Sequence, residues 1–286
     1  KNTVNSKLNK EIKKLNNKNL DTKIKSQARI AITAGSRGIS SYAILLKTIV
    51  DFVKKQGAIP FIVPAMGSHG GGSDLGQKKI LANLGITEES MGCEVISSME
   101  VVQIGKCENN LPVYVDKNAY EADGIILFNR VKPHTSFRGK YESGLVKMLA
   151  IGLGKRKGAE TIHSLRFENM ADNILLSAKV SLNKLNIIAG ICTIENGYDE
   201  VADIFVLDKE EIATIFGYDL SYINGKIRLQ LRNFYNEEVD KEYIDSNECN
   251  FECYLSNYRK IDDFDDFYYL SIENNKLIAY LKLNNS

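Results

Sequence analysis

The sequence predicts an α/β fold: a layered sheet with flanking helices and ligand loops at the strand ends, followed by a short β-rich C-terminal segment of different character. Three observations predict it. Short apolar runs bounded by glycine alternate with longer stretches of helical periodicity. Three of those runs feed polar loops, GSRG, MGSHGGGS and NRVKPHT. Past about residue 212 glycine becomes rare and histidine stops, asparagine, aspartate and tyrosine rise, and residues 211–286 carry 8 Lys and Arg against 14 Asp and Glu.

Residues 1–27 form a polar lead-in in which Leu8, Ile12 and Leu15 recur at helical spacing, an appendage to a core. ARIAITAG then reads as a strand ending in GSRG. YAILLKTIVDFVKKQG reads as a helix stopped by Gly57. AIPFIVPA is a second strand, and MGSHGGGS hands it over to the helix SDLGQKKILANLG. GCEVISS, VVQIGK and PVYVD are β-rich, and GIILFN leads into the loop that holds His134. LVKMLAIGLGK and FENMADNILLSAKVSLNK read as helical, LNIIAGICTIEN as a buried strand, and FYYLSIENNKLIAYLKL as a hairpin with an Asn-Asn turn. The domain expectation is a lead-in over 1–27, one α/β domain over 28–212 and a C-terminal segment of unknown relationship over 213–286.

Composition narrows the function classes. At 286 residues and 44% hydrophobic the chain can bury a sizeable core, and a net charge of +1 gives no electrostatic reason to expect nucleic acid or an anionic membrane as partner. No apolar run reaches the ~18 residues of a membrane span, and the basic, polar N-terminus lacks an export core, so the cytoplasm is the expected location. The five cysteines are odd in number and widely spread, as expected of free thiols. Cys249 and Cys253 have an i, i+4 spacing that suits a metal, but no further ligand accompanies them.

Chemistry concentrates in few residues. The chain has three histidines, His69, His134 and His163, each beside reactive neighbours. Three imidazoles suit either a metal triad, as in a zinc hydrolase with an open water position, or a proton-transfer set. Lys147, among small and apolar residues in ESGLVKMLAIGLGKRKGA, is either a desolvated nucleophile or a helix lysine whose ammonium reaches water. GSHGGGS suits a phosphate cradle at the start of the following helix or simply a tight turn. GLGKRKG is not a nucleotide loop, since Leu149 stands where the first glycine belongs and Arg156 follows the lysine. A dinucleotide G-x-G-x-x-G after a strand is also missing.

The ordered series GSRGI, PFIVPAMGSHGG, NRVKPHTSFRG, ESGLVKM, IGLGKRKGA and AETIH, over about residues 28–212, resembles the N-terminal domain of the lactate racemase family, as a divergent homologue. The resemblance implies an isomerase, a racemase or epimerase of a small 2-hydroxy acid, using a nickel-pincer nucleotide. That cofactor is a pyridinium mononucleotide with two sulfur-bearing arms. By the resemblance Lys147 would form a thioamide bond with it, and His163 would complete the nickel coordination, a donor set that suits square-planar Ni(II). His69 and His134 would be the paired acid/bases on opposite sides of the substrate carbon, and Arg37 would hold the carboxylate. The α-hydrogen would leave as hydride to the cofactor while a histidine takes the hydroxyl proton. Partners would be the 2-hydroxy acid and the proteins that make the cofactor. Another class stays open: a non-catalytic or truncated domain that binds a small molecule or nucleotide without turnover.

Overall fold

The computed structural model describes residues 23–131, 143–163, 170–195, 200–209 and 212, and the strand segments 217–223, 226–232, 238–245, 267–273 and 276–281. Strand β1 (Arg29–Ala34) leads through the GSRG loop to helix α1 (Tyr42–Lys55). The helix forms because Tyr42, Leu45, Leu46, Ile49, Val50 and Val53 fall on one stripe at i, i+3, i+4 spacing, and all are buried. It ends at Gly57, whose φ of +78° is a left-handed conformation that costs a residue without a side chain least. Strand β2 (Ile59–Pro64) follows, then a single 3-10 turn at Gly70–Gly72 and helix α2 (Asp74–Asn83), whose first turn is capped by Ser73 Oγ accepting from Gly76 N at 3.2 Å.

Helix α3 (Glu88–Met91) and strand β3 (Glu94–Val95) close this half. Strands β4 (Val101–Lys106) and β5 (Pro112–Asp116) pair antiparallel as a separate ribbon, and the short helix α4 (Lys117–Tyr120) leads into β6 (Gly124–Arg130). Helix α5 (Gly144–Lys147) runs directly into a π-helical turn at Met148–Gly152, and α6 (Lys155–His163), α7 (Met170–Lys184), β7 (Ile187–Glu195) and β8 (Val201–Leu207) follow. The helical reading of LVKMLAIGLGK is therefore refined: its middle winds more widely, with Leu153 N–H donating to Met148 O at 2.8 Å.

The main sheet has the order β3-β2-β1-β6-β7-β8, parallel except for the antiparallel edge strand β8. Both faces are buried. Ala31, Phe61, Val63, Ile125 and Leu127 point to one core with the α5–π segment and α7, while Ile30, Ile32, Ile62, Ile126 and Phe128 point to the other with α1. That alternation is the two-residue period of the pleat, and a fully buried Phe128 or Ile32 contributes roughly 1.5–3 kcal/mol of transfer free energy.

The remaining strands, β9 (Gly217–Ile223), β10 (Lys226–Arg232), β11 (Glu238–Asp245), β12 (Phe267–Glu273) and β13 (Lys276–Leu281), form an antiparallel three-stranded sheet and a hairpin. β12 and β13 pair antiparallel with Glu273 opposite Lys276, the hairpin the sequence predicts, while Asn274 and Asn275 lie outside the described residues. Among the described residues no helix is long and apolar enough to cross a membrane. Cys93 and Cys107 are free thiols, while Cys249 and Cys253 lie outside the described residues.

Candidate functional site

The strand order reverses at β1: the chain steps outward through β2 and β3, then returns to place β6 on the other side of β1. In open parallel sheets the loops after the carboxyl ends of two such strands diverge and leave a crevice. Here that crevice is a cleft of about 170 Å³ between the loop after β1, the loop after β2, the end of β6 and the α5–π segment. Arg37, His69, Arg130 and Lys147 line it, and no acidic side chain does among the described residues.

Each wall has a local cause. Gly35 N–H donates to the Tyr42 hydroxyl at 2.6 Å, which turns the chain out of β1 and presents Ser36 and Arg37. Tyr42 is buried, and burial holds its phenol pKa well above the usual range, so the neutral hydroxyl accepts from Gly35 N–H and donates to Gly35 O at 3.4 Å. On the opposite side Asn129 Nδ2 donates to Gly144 O at 2.9 Å and ties the end of β6 to the start of α5. Below Lys147, Met148 Sδ accepts from the buried Thr33 hydroxyl at 2.8 Å. Gly152 lies so close to the end of β2 that a Cβ there would stand 2.6 Å from Ala65 O, so the π turn can reach the sheet only with glycine.

The His69 loop is built by close backbone approach. Gly70, Gly71 and Gly72 all have φ near +60 to +70°, and a Cβ on Gly70 would meet the backbone of Gly76 at 2.7 Å. The triple glycine therefore folds the loop onto α2, and it is Met66 and His69 that reach the cleft.

His69 stands solvent-accessible at the cleft, its Nδ1 hydrogen-bonded to Ser36 Oγ. Loss of water from part of its ring, and then the positive charges of Arg37 and Lys147, lower its pKa below the usual histidine range. Near pH 7 it is the neutral imidazole. In the tautomer whose Nδ1–H donates to Ser36 Oγ, Nε2 keeps a free lone pair, the state a proton acceptor needs.

Arg130 also reaches the cleft, but Glu195 at the end of β7 pairs with it, and the same carboxylate accepts from Ser40 N–H. Both partners are mostly buried, 16% and 6% exposed in their side chains. The pair stitches the ends of β6 and β7 to the loop after β1. Arg37, Lys147 and the compensated Arg130 thus suit a small anionic ligand.

Of the residues singled out from the sequence, Arg37, His69 and Lys147 converge on this cleft. His163 is the last residue of α6, exposed, and is not among the cleft's lining residues. His134 lies outside the described residues. Among the described residues no group of three His, Cys, Asp or Glu is arranged to hold a metal ion. Sequence reasoning missed Ser36, Gln77, Arg130, Lys155 and Glu195. Ser36 and Arg130 sit inside quoted motifs beside more obvious residues, whereas Gln77 and Glu195 have no local signature.

Comparison with known proteins agrees with the fold. The family profile described as the lactate racemase N-terminal domain matches residues 1–174. The solved structure of the lactate racemase apoprotein from Thermoanaerobacterium thermosaccharolyticum is similar, with a TM-score of 0.53 at 16% identity, over 67% of this chain and 48% of that one. The chain thus spans about half the length of that structure's chain. No curated protein matches.

Proposed function

The chain belongs to the lactate racemase N-terminal domain family, and from that premise we propose that it is a nickel-pincer-dependent racemase or epimerase of a small 2-hydroxy acid. The observation that carries the proposal is the convergence of Arg37, His69 and Lys147 on one cleft at the reversal of strand order.

The residues present fit the organic part of the cofactor. Lys147 is a half-buried amine in the cleft wall, at the junction of α5 and the π turn, where it would anchor a pincer nucleotide. The cationic lining suits the anionic groups of a mononucleotide. When bound, that group supplies the acceptor for the α-hydrogen of the substrate as hydride. His163 would be its protein ligand, carried by the end of α6.

The chain's own residues do the rest. Arg37 holds the substrate carboxylate with a planar guanidinium. His69, favoured in its neutral form by partial desolvation and by its cationic neighbours, takes the hydroxyl proton at Nε2 as the carbonyl forms, and Ser36 fixes the ring. By the family resemblance His134, which lies outside the described residues, would perform the same transfer for the other hand, so that return of the hydrogen to either side yields either configuration. The expected partners are the acid and the cofactor-making proteins, in the cytoplasm.

The test is a panel of α-deuterated 2-hydroxy acids offered to cofactor-loaded protein. Interconversion of configuration with the deuterium retained at the α-carbon is expected, because hydride that leaves and returns does not mix with water. No interconversion on any acid, or washout of the label into solvent, contradicts the reading.

A second reading, a domain that binds a small anion or nucleotide without turnover, draws on one observation: His163 ends α6 in solvent and does not line the cleft. Ligand binding unaffected by His69→Ala, with no turnover in the parent, would favour it.

A further inference from the structure

Beneath the His69 loop lies a buried polar chain that the chemistry above does not use. Gln77 is fully buried in α2, and its side-chain amide donates to Gly67 O at 2.8 Å and to His69 O at 3.3 Å. Its other end accepts from Lys155 Nζ at 3.1 Å. Lys155 is itself fully buried, donates to Pro64 O at the end of β2, and forms an ion pair with Asp116 Oδ2 at 3.2 Å. Asp116 Oδ1 accepts from Ala119 N–H at 3.0 Å, which fixes the carboxylate at the start of α4.

The chemistry of the groups allows only one orientation of the amide. An ammonium has donors alone and carbonyls accept alone, so the Gln77 oxygen must face Lys155 and its NH2 must face the loop. Two oxygens, from Pro64 and Gln77, accept from the Lys155 ammonium, and Asp116 Oδ2 stands beside it as its counter-ion at 3.2 Å. Lys155 also adopts φ +55°, a left-handed backbone conformation that a lysine takes only where its surroundings hold it there.

We propose that Gln77 is a positioning residue for His69, an amide clamp that fixes the loop carbonyls on either side of the histidine and is itself oriented by the Lys155–Asp116 ion pair. The clamp starts at the floor of the domain, where Asp116 caps α4, and ends at the backbone of the residue that moves the proton. The loop needs such a clamp because its three consecutive glycines have positive φ, and around Gly71 no atom lies within 4 Å of where a Cβ would stand. Glycine permits this conformation and does nothing to hold it. Lowering of the His69 pKa by Arg37 and Lys147 depends on distance, so a loosened loop weakens that effect.

The proposal rests on His69 as the acid/base, but its test does not require catalysis. Imidazole NMR on the full chain has only three histidines to resolve, and His69→Gln assigns the signal. In Gln77→Met the His69 titration midpoint is expected to move up toward the ordinary histidine value, and amide exchange over residues 67–72 to quicken by about tenfold while β1, β2 and β6 keep their protection. Gln77→Glu keeps an acceptor for Lys155 but cannot donate to the loop carbonyls, so the same local loosening is expected where the methionine variant does not fold. An unchanged His69 midpoint with unchanged loop exchange overturns the proposal. So does acceleration across the whole domain, the mark of a merely structural residue. In cofactor-loaded protein the clamp variants are expected to lose kcat with KM little altered. If the loop loosens as described and the parent racemises nothing, it is the racemase reading that fails and the clamp that stands.

Discussion

Among the described residues two buried ion pairs brace this domain, one beneath the His69 loop and one at the cleft wall. Lys155–Asp116 is fully dry, with both side chains 0% exposed, and lies under the His69 loop. Arg130–Glu195 keeps its arginine 16% exposed at the cleft wall. Burial pushes the Lys155 pKa down and the Asp116 pKa up, and each partner's charge works against that desolvation. Such a pair gains little net stability by existing, yet is costly to break, because one partner's removal strands the other. Both pairs hold backbone in place, but only Arg130–Glu195 also keeps a charged group where a ligand can meet it.

The largest expected effect breaks the dry pair. Lys155→Met should cost about 3–5 kcal/mol in urea unfolding, because Asp116 is left buried without its counter-ion, and a second change, Asp116→Asn, should restore part of it. If the single variant is as stable as the parent, the pair is not the brace described. Next, Glu195→Gln should cost less, about 1–3 kcal/mol, since water reaches Arg130 and the amide can still accept from Ser40 N–H. Its clearer signature should be tighter binding of a small carboxylate in the cleft, measurable by calorimetry, because Arg130 loses its internal counter-ion.

The third effect is one of pH. The His69 pKa is lowered by partial desolvation and then by Arg37 and Lys147, so the folded protein favours the neutral ring. Its contribution to stability is complete above the unfolded histidine value of about 6.5 and fades as the pH falls through the folded value. The acid limb of activity should accordingly fall below the ordinary histidine range. Arg37→Ala should raise the NMR midpoint of His69, and an unmoved midpoint would show that the two groups do not share the cleft. The smallest effect is expected from Ser36→Ala, about 0.5–1.5 kcal/mol in unfolding and a freer imidazole, seen as a mixture of tautomers in the ring nitrogen shifts.

The sheet and its loops were legible because their physics is local. ARIAITAG and AIPFIVPA are bounded apolar runs, and the stripe from Tyr42 to Val53 is periodic in the sequence itself. β8 was not legible, since Ala202 and Asp203 interrupt the apolar run of VADIFVL, and its place at the sheet edge comes from pairing with β7. Lys155 was hidden for the opposite reason. It occupies the buried stripe of α6 with Gly158, Ala159 and Ile162, where a lysine would ordinarily signal the solvent face. The joining of Arg37, His69 and Lys147 in one cleft has no signature in spacing. It was anticipated through the resemblance of ordered motifs, and geometrically it follows from the return of the chain to β6 beside β1.

The central claim is that Lys147 anchors a nickel-bearing nucleotide in this cleft. Intact-protein mass spectrometry with metal analysis, on chain co-expressed with the cofactor-making proteins, tests it most directly when parent and Lys147→Ala are compared. The account predicts a mass adduct with stoichiometric nickel in the parent and neither in the variant. A bare parent mass without nickel, under conditions that load a control racemase, would contradict it.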